Sequence, residues 1–139
     1  MNVDFVDTGR AMSQENVEVV RSYLELIQRG DLAAALDLLD PDVEYEVGQE
    51  LPMRGHAAVR AMWERWDADW EDYELLPEEF IDAGDQVLVT VRCSARGRGS
   101  GVVVDNRTFD VYTLRDRKCV RKVEFQVRSE ALGAVGLSE

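Results

Sequence analysis

Apolar and polar positions alternate with a period of two through three successive stretches near the C-terminal end of the chain. Val87, Val89, Val91 and Cys93 recur in the first, Phe109, Val111 and Thr113 in the second, and Val123, Phe125 and Val127 in the third, which is the spacing of β-strands. The intervening residues include Leu88, Thr90, Arg92, Thr108, Asp110, Tyr112, Lys122, Glu124 and Gln126. This is not the uniformly polar set of a sheet with one wet face, so both faces are predicted to be occupied. One face is apolar enough to be buried against protein. The other mixes large apolar groups with a few ionisable ones, as the wall of a small-molecule pocket does.

The preceding residues read as helices with one strand among them. Residues 1–12 are expected to form an extension, with Ser13 as the N-cap of a first helix. Val17, Val20, Leu24 and Ile27 form its apolar stripe, widened by Val19, Tyr23 and Leu26, and Gly30 ends it. Asp31 caps a second, shorter helix with Leu32, Leu36 and Leu39 on one side, broken by Asp40-Pro41-Asp42. In the strand that follows, Val43, Tyr45 and Val47 point inward and Glu44 and Glu46 outward. A turn region, 48–55, leads to a third helix over 56–70, whose Val59, Met62, Trp63, Trp66 and Trp70 share one side. Trp63, in mid-helix, is the indole best placed to line a cavity. A strand interrupted at Pro77 is expected over 75–81, a turn over 82–85, and a short C-terminal helix capped by Ser129. This order argues for an α+β domain rather than βαβ units.

Composition narrows the picture. With 139 residues, 45% of them hydrophobic and 32% charged, and no long apolar run, the chain is expected to be one globular domain without a membrane span. The net charge of −12 argues against nucleic-acid binding, which needs clustered Lys and Arg. The acids crowd into the first 84 residues, and the strand region carries more bases than acids. Arg96, Arg98 and Arg107 lie in or beside a glycine-rich connection (Gly97, Gly99, Gly101) that reads as a solvated hairpin loop, since no helix start follows it to cradle a phosphate. His56, the single histidine, reads as a helix-entry residue. Cys93 and Cys119 form neither a disulfide framework nor a metal cluster. No metal or other cofactor is predicted, and the N-terminus lacks the pattern of a secretory signal, so the cytoplasm is the expected compartment.

Four segments, Tyr23-Leu-Glu-Leu-Ile-Gln-Arg-Gly-Asp-Leu32, Asp40-Pro-Asp-Val43, Arg54-Gly-His56 and Phe109-Asp-Val-Tyr-Thr-Leu-Arg-Asp116, resemble in order and spacing the nuclear transport factor 2-like superfamily. Within it the chain is most similar to the SnoaL-like polyketide cyclase group, with ketosteroid isomerase as a relative. The resemblance spans 13–137 and implies a cone-shaped, curved antiparallel or mixed β-sheet wrapped around N-terminal helices, with a central pocket. It places the oxyanion-donating tyrosine of ketosteroid isomerase on Tyr23 and its protonated aspartic acid on Asp110. The catalytic base of that enzyme falls on Val47, with Glu46 next door on the opposite strand face. The same resemblance directs Arg92 and Glu124 into the cone as candidates for proton transfer.

The facing of Asp110 depends on the hairpin after it. A two-residue turn at Asp116-Arg117 puts Asp110 with Val123, whereas a three-residue loop through Lys118 puts it with Lys122, Glu124 and Gln126. The second register agrees with the resemblance. The catalytic set is then Tyr23, Arg92, Asp110 and Glu124, and the ligand-binding set Tyr45, Val47, Trp63, Tyr112 and Gln126, with a buried Arg92–Glu124 ion pair as the purely structural alternative. The Asp110 carboxyl is expected to titrate high by desolvation unless Arg92 reaches it. Two functional classes follow. One is a cofactor-free isomerase, cyclase or hydrolase acting by acid–base chemistry on a small apolar or aromatic oxygenated molecule. The other is a non-catalytic ligand-binding or dimerisation module. A homodimer is expected through the convex sheet face, on which Val87, Val89, Val91, Cys93, Val111, Val123, Phe125 and Val127 are grouped opposite the helices.

Overall fold

Tyr23 and Asp31 are set in place by the way the first helix stops. In the computed structural model, which describes residues 3–48 and 50–138 with side chains from residue 13 onward, helix α1 spans Val3–Gln28. Gly30 adopts φ 77°, its N–H bonds the Ile27 carbonyl and the Asp31 N–H bonds the Leu26 carbonyl. This pair of bonds closes the helix end around a left-handed residue that glycine alone takes without strain. The start differs from expectation: Ser13 lies inside α1, because nothing between Val3 and Ser13 breaks the helix. Met1 and Asn2, the first residues of the expected extension, lie outside the described residues.

Asp31 caps α2 (Leu32–Leu36), accepting from the Ala34 N–H at 3.2 Å. The second helix is shorter than the sequence suggests, and Leu39 opens strand β1 (Leu39–Glu46). The Asp40-Pro41-Asp42 segment is carried inside β1 as an irregularity, since the pairing with the last strand shifts between Leu39 and Glu44. A two-residue β2 (Met53–Arg54) pairs back on β1, and α3 covers His56–Asp69. Trp70, expected to end α3, begins β3 (Trp70–Ala83) instead. Pro77 is tolerated there because β3 is an edge strand and the register slips beside the proline.

Strands β4 (Gln86–Gly97), β5 (Val103–Arg115) and β6 (Lys118–Phe125) complete a curved mixed sheet of order β2-β1-β6-β5-β4-β3, in which β1 and β6 run parallel. The β4–β5 loop is fastened to the end of α3: the Arg98 N–H bonds the Asp69 carbonyl at 2.9 Å and its Nε the Asp67 carbonyl at 2.8 Å. Arg98 therefore satisfies helix-terminal carbonyls, as cationic side chains commonly do. The last helix, α4 (Arg128–Ala134), starts from Val127, which makes no side-chain cap, and Ser129 lies within the helix.

Register decides what each face carries. The β5–β6 turn is the two-residue one, with Asp116 and Arg117 at φ 52° and 65°, yet Asp110 pairs with Glu124 and Tyr112 with Lys122. The two are reconciled by an irregularity between Thr113 and Leu114, where Val120 is the extra residue on β6 and restores the phase that a tight turn alone would have inverted. On the other side of β5, Val87 pairs with Tyr112, Val89 with Asp110 and Val91 with Thr108. The β4 valines therefore face the helices, not the convex side. Val87 and Val89 are wholly buried in the main core with Val20, Leu24, Ile27, Leu36 and Val43. The convex face carries Leu88 and Val111 instead, buried under Ala131 and Leu132 of α4 with Phe109 and Phe125 packed around them. The apolar patch expected to require a second copy is thus partly covered by the chain itself.

Candidate functional site

A cavity of about 360 Å³ lies between α3 and the concave face of the sheet, within the range of small-molecule sites. Tyr45 and Val47 reach it from the end of β1, Trp63 and Trp66 from α3, and Trp70 from the start of β3. Val91 and Cys93 come from β4, Thr108, Asp110 and Tyr112 from β5, and Lys122 and Glu124 from β6. Strand alternation explains the last five: every second residue of β5 and β6 turns to the same face.

Tyr23 sits behind this wall rather than on it. Its hydroxyl lies 2.8 Å from that of Tyr45 and accepts from Trp63 Nε1 at 3.2 Å. Either phenol can donate in the Tyr23–Tyr45 bond; when Tyr23 donates, the Tyr45 hydroxyl proton is left for the cavity. Burial holds the Tyr23, Tyr45 and Tyr112 phenols well above their ordinary titration range, so they act as O–H donors and not as bases.

The ionisable floor is built from β5 and β6. Lys122, 4% exposed, places its ammonium 3.8 Å from Asp110 Oδ2 and 3.7 Å from Glu124 Oε2, and 4.8 Å from the Tyr45 ring centre. Burial pushes the Asp110 carboxyl up to about 6; Lys122 and the Thr108 hydroxyl pull it down, and the Glu124 charge adds to the rise. Asp110 Oδ1 is buried without a hydrogen-bond partner among the described residues, and so is Trp66 Nε1. Two unmet polar atoms lining one cavity, an acceptor on the sheet and a donor on α3, cost free energy unless a bound molecule or water meets them. The Cys93 thiol is raised by burial to about 11, which leaves it protonated and a poor nucleophile at neutral pH.

Besides Tyr23, two further residues expected in the cavity are not there. Arg92 is paired opposite Arg107, out of phase with Val91 and Cys93, and so lies on the convex face. There its guanidinium donates to both Asp105 oxygens, at 3.0 and 2.8 Å, and no buried Arg92–Glu124 pair exists. Gln126 lies beyond the end of β6, exposed, and donates to Glu124 Oε1 at 2.8 Å, so it orients a cavity carboxylate without lining the cavity. The cation inside is Lys122, which the sequence reading grouped with Glu124 by alternation but gave no role. Among the described residues no cluster of His, Cys, Asp and Glu is placed to hold a metal ion, and no helix is long and apolar enough to cross a membrane.

A curved mixed sheet closed by helices over a cavity, with carboxylates on its central strands, is the cone architecture of nuclear transport factor 2-like proteins. The chain belongs to the SnoaL-like domain family, which matches residues 20–122. Solved structures with the same fold include a nuclear transport factor 2-like protein of unknown function from Burkholderia pseudomallei (TM-score 0.75, 21% identity, 88% of this chain and 98% of that one covered). A suggested polyketide cyclase from Xanthomonas campestris is similar over the same shares, at TM-score 0.72 and 21% identity. So is TerC, crystallised with polyporic acid, at TM-score 0.72 and 21% identity over 87% of this chain and 98% of that one. No curated protein matches the chain in sequence.

Proposed function

We propose that the chain binds a small, largely apolar, oxygen-bearing molecule in this cavity and moves a proton on and off it without a cofactor, as an isomerase, cyclase or hydrolase. The observation that carries this reading is Asp110, 5% exposed, raised to about 6, and lining an aromatic cavity with one oxygen unpartnered. A carboxyl that titrates near neutrality is suited to take a proton and return it. Asp110 is thus the proton carrier, where the family resemblance assigns a permanently neutral donor. Tyr45, backed by Tyr23 and Trp63, offers a hydroxyl to the substrate oxygen, and Glu124 is the second carboxylate of the floor. The complex of the similar TerC with polyporic acid supports an organic ligand of this kind.

The test is proton exchange. A panel of enolisable ketones in heavy water, followed by proton NMR, should show protein-dependent loss of the signal next to the carbonyl, reduced at least about a hundredfold in Asp110→Asn. Ligand binding without any exchange would instead support a binding module, a reading favoured by Val47 at the position of the relative's base. In either case we infer a two-fold dimer through the convex face, where Leu76 and Val103 are exposed beside the Arg92–Asp105 and Arg107–Glu78 pairs. The two free cysteines, Cys93 and Cys119, favour the reducing cytoplasm.

A further inference from the structure

One cation on the cavity floor has no task in the scheme above. The Lys122 ammonium lies 3.8 and 3.7 Å from the two carboxylates, too far for hydrogen bonds, and among the described residues none of the hydrogen bonds ends on its Nζ. An ammonium held at these distances by charge alone keeps N–H groups that one well-placed substrate oxygen in the cavity would engage. The tyrosine to which the resemblance gives this duty is badly placed for it: Tyr23 is off the cavity wall, with its hydroxyl engaged by Tyr45 and Trp63.

We propose that Lys122, next to Tyr45, supplies the charge that holds the reacting oxygen of the substrate, an enolisable carbonyl compound whose oxygen turns negative beside this ammonium as Asp110 takes the proton. The inference rests on the proton-transfer reading. Its charge balance is simple. Before the step, Asp110 and Glu124 are anionic, Lys122 is cationic and the ketone is neutral. The C–H bond next to the carbonyl breaks, its proton goes to Asp110 Oδ1, and the electron pair enters the carbonyl system, leaving the charge on oxygen. The net charge of the site is unchanged; one negative charge has moved from Asp110 to the substrate oxygen at Lys122, in a buried setting where such a contact counts for more than in water. Return of the proton to a different carbon completes an isomerisation. Attack of the enolate carbon on a second carbonyl, whose oxygen takes the proton, completes a cyclisation. Glu124, held by Gln126, leaves Lys122 one counter-charge in either protonation state of Asp110, which accounts for two acids beside one base.

Two probes that differ by one methyl group test this: 4-nitroanisole, which is always neutral, and 4-nitrophenol, whose phenolate has its own visible band. The charged and titratable groups facing Lys122 are Asp110 and Glu124, the Tyr45 ring, Tyr112 across the strand pair, Cys93 from β4 and Cys119 from its own strand. Both probes should bind the full-length protein by calorimetry, and bound 4-nitrophenol should ionise at a pH lower than the free probe, its phenolate favoured by about tenfold. Lys122→Met should abolish that preference while 4-nitroanisole affinity stays within about twofold. Lys122→Arg should keep the preference, and Asp110→Asn should strengthen it. If the wild-type protein binds 4-nitroanisole but holds 4-nitrophenol in its protonated form, the role of Lys122 is overturned and the cavity reading stands. Persistence of the preference in Lys122→Met overturns it equally. Failure of both probes to bind overturns the cavity reading and this inference with it. The wild-type measurement decides even if Lys122→Met does not fold.

Discussion

Asp110 has given up hydration for an apolar wall, and its titration carries that cost. Its folded value of about 6 lies above the ordinary 3.8, so between those limits the unfolded chain binds fewer protons than the folded one. Stability from this group is full below about pH 4 and is lost as the pH rises through about 6, a change of about 3 kcal/mol. Asp110→Asn removes the titration. In urea unfolding, the stability of the variant relative to wild type should therefore rise by about that amount between pH 4 and pH 7, and a constant difference across that range would refute the raised value. The residue was legible in advance because strand alternation and the resemblance both put it inside. Its partner was legible only in part: alternation groups Lys122 with Glu124 on the face of Asp110, but the resemblance directs Arg92 there too, and nothing in the neighbourhood of Arg92 says that it faces away from the helices.

Among the elements, the β5–β6 hairpin shows how a local feature can be misread while its consequence is right. The sequence reading tied the facing of Asp110 to the length of the turn, but the turn is short and the bulge at Val120 supplies the missing residue. A bulge has no reliable sequence mark, because any residue can be the extra one. The turn itself is suboptimal, since Asp116 and Arg117 both hold positive φ in a hairpin type that prefers Asn-Gly. Arg117→Gly should raise stability by about 1 kcal/mol, read as a higher melting temperature, and a lower one would argue that the Arg117–Glu15 contact at 3.4 Å outweighs the backbone strain. Helix α4 shows the reverse case. The sequence shows a weak C-terminal helix, and its position over Leu88 and Val111 is what turns the convex face from a bare apolar surface into a second small core.

For the whole molecule, the covered convex face changes the expected dimer interface but not its location. The β4 valines assigned to it face the helices and Val111 is covered by α4, and what remains exposed there includes Leu76 at 49% and Val103 at 64%, beside an array of Arg–carboxylate pairs. An interface of that make-up is more polar than a severed core, of the kind non-obligate dimers use. Sedimentation at micromolar concentration should give twice the 15.8 kDa of one chain, and Leu76→Asp combined with Val103→Asp should give monomer with the tryptophan fluorescence of the cavity unchanged. A monomeric wild type would rule the interface out.

The sequence by itself determined the class of the molecule. Helical stripes ending at Gly30, alternation in β1, β4, β5 and β6, and the spacing of short motifs were enough for an α+β cone and for Tyr45, Val47, Trp63, Asp110, Tyr112 and Glu124 as cavity residues. The helices and strands rest on periods carried within one element, whereas the cone and the placing of Asp110 and Glu124 inside it rest on what the family resemblance implies. Tertiary structure decided the phase between elements: which face the β4 valines take, which cation enters the cavity, and that Tyr23 stands behind Tyr45. The physical reason is that alternation with a period of two is unchanged when a strand moves by one residue, whereas every side chain then changes face. Valine is at home on either face of a sheet packed on both sides. Only the register set by the β4–β5 loop, the Val120 bulge and the packing of α1, α3 and α4 breaks that tie.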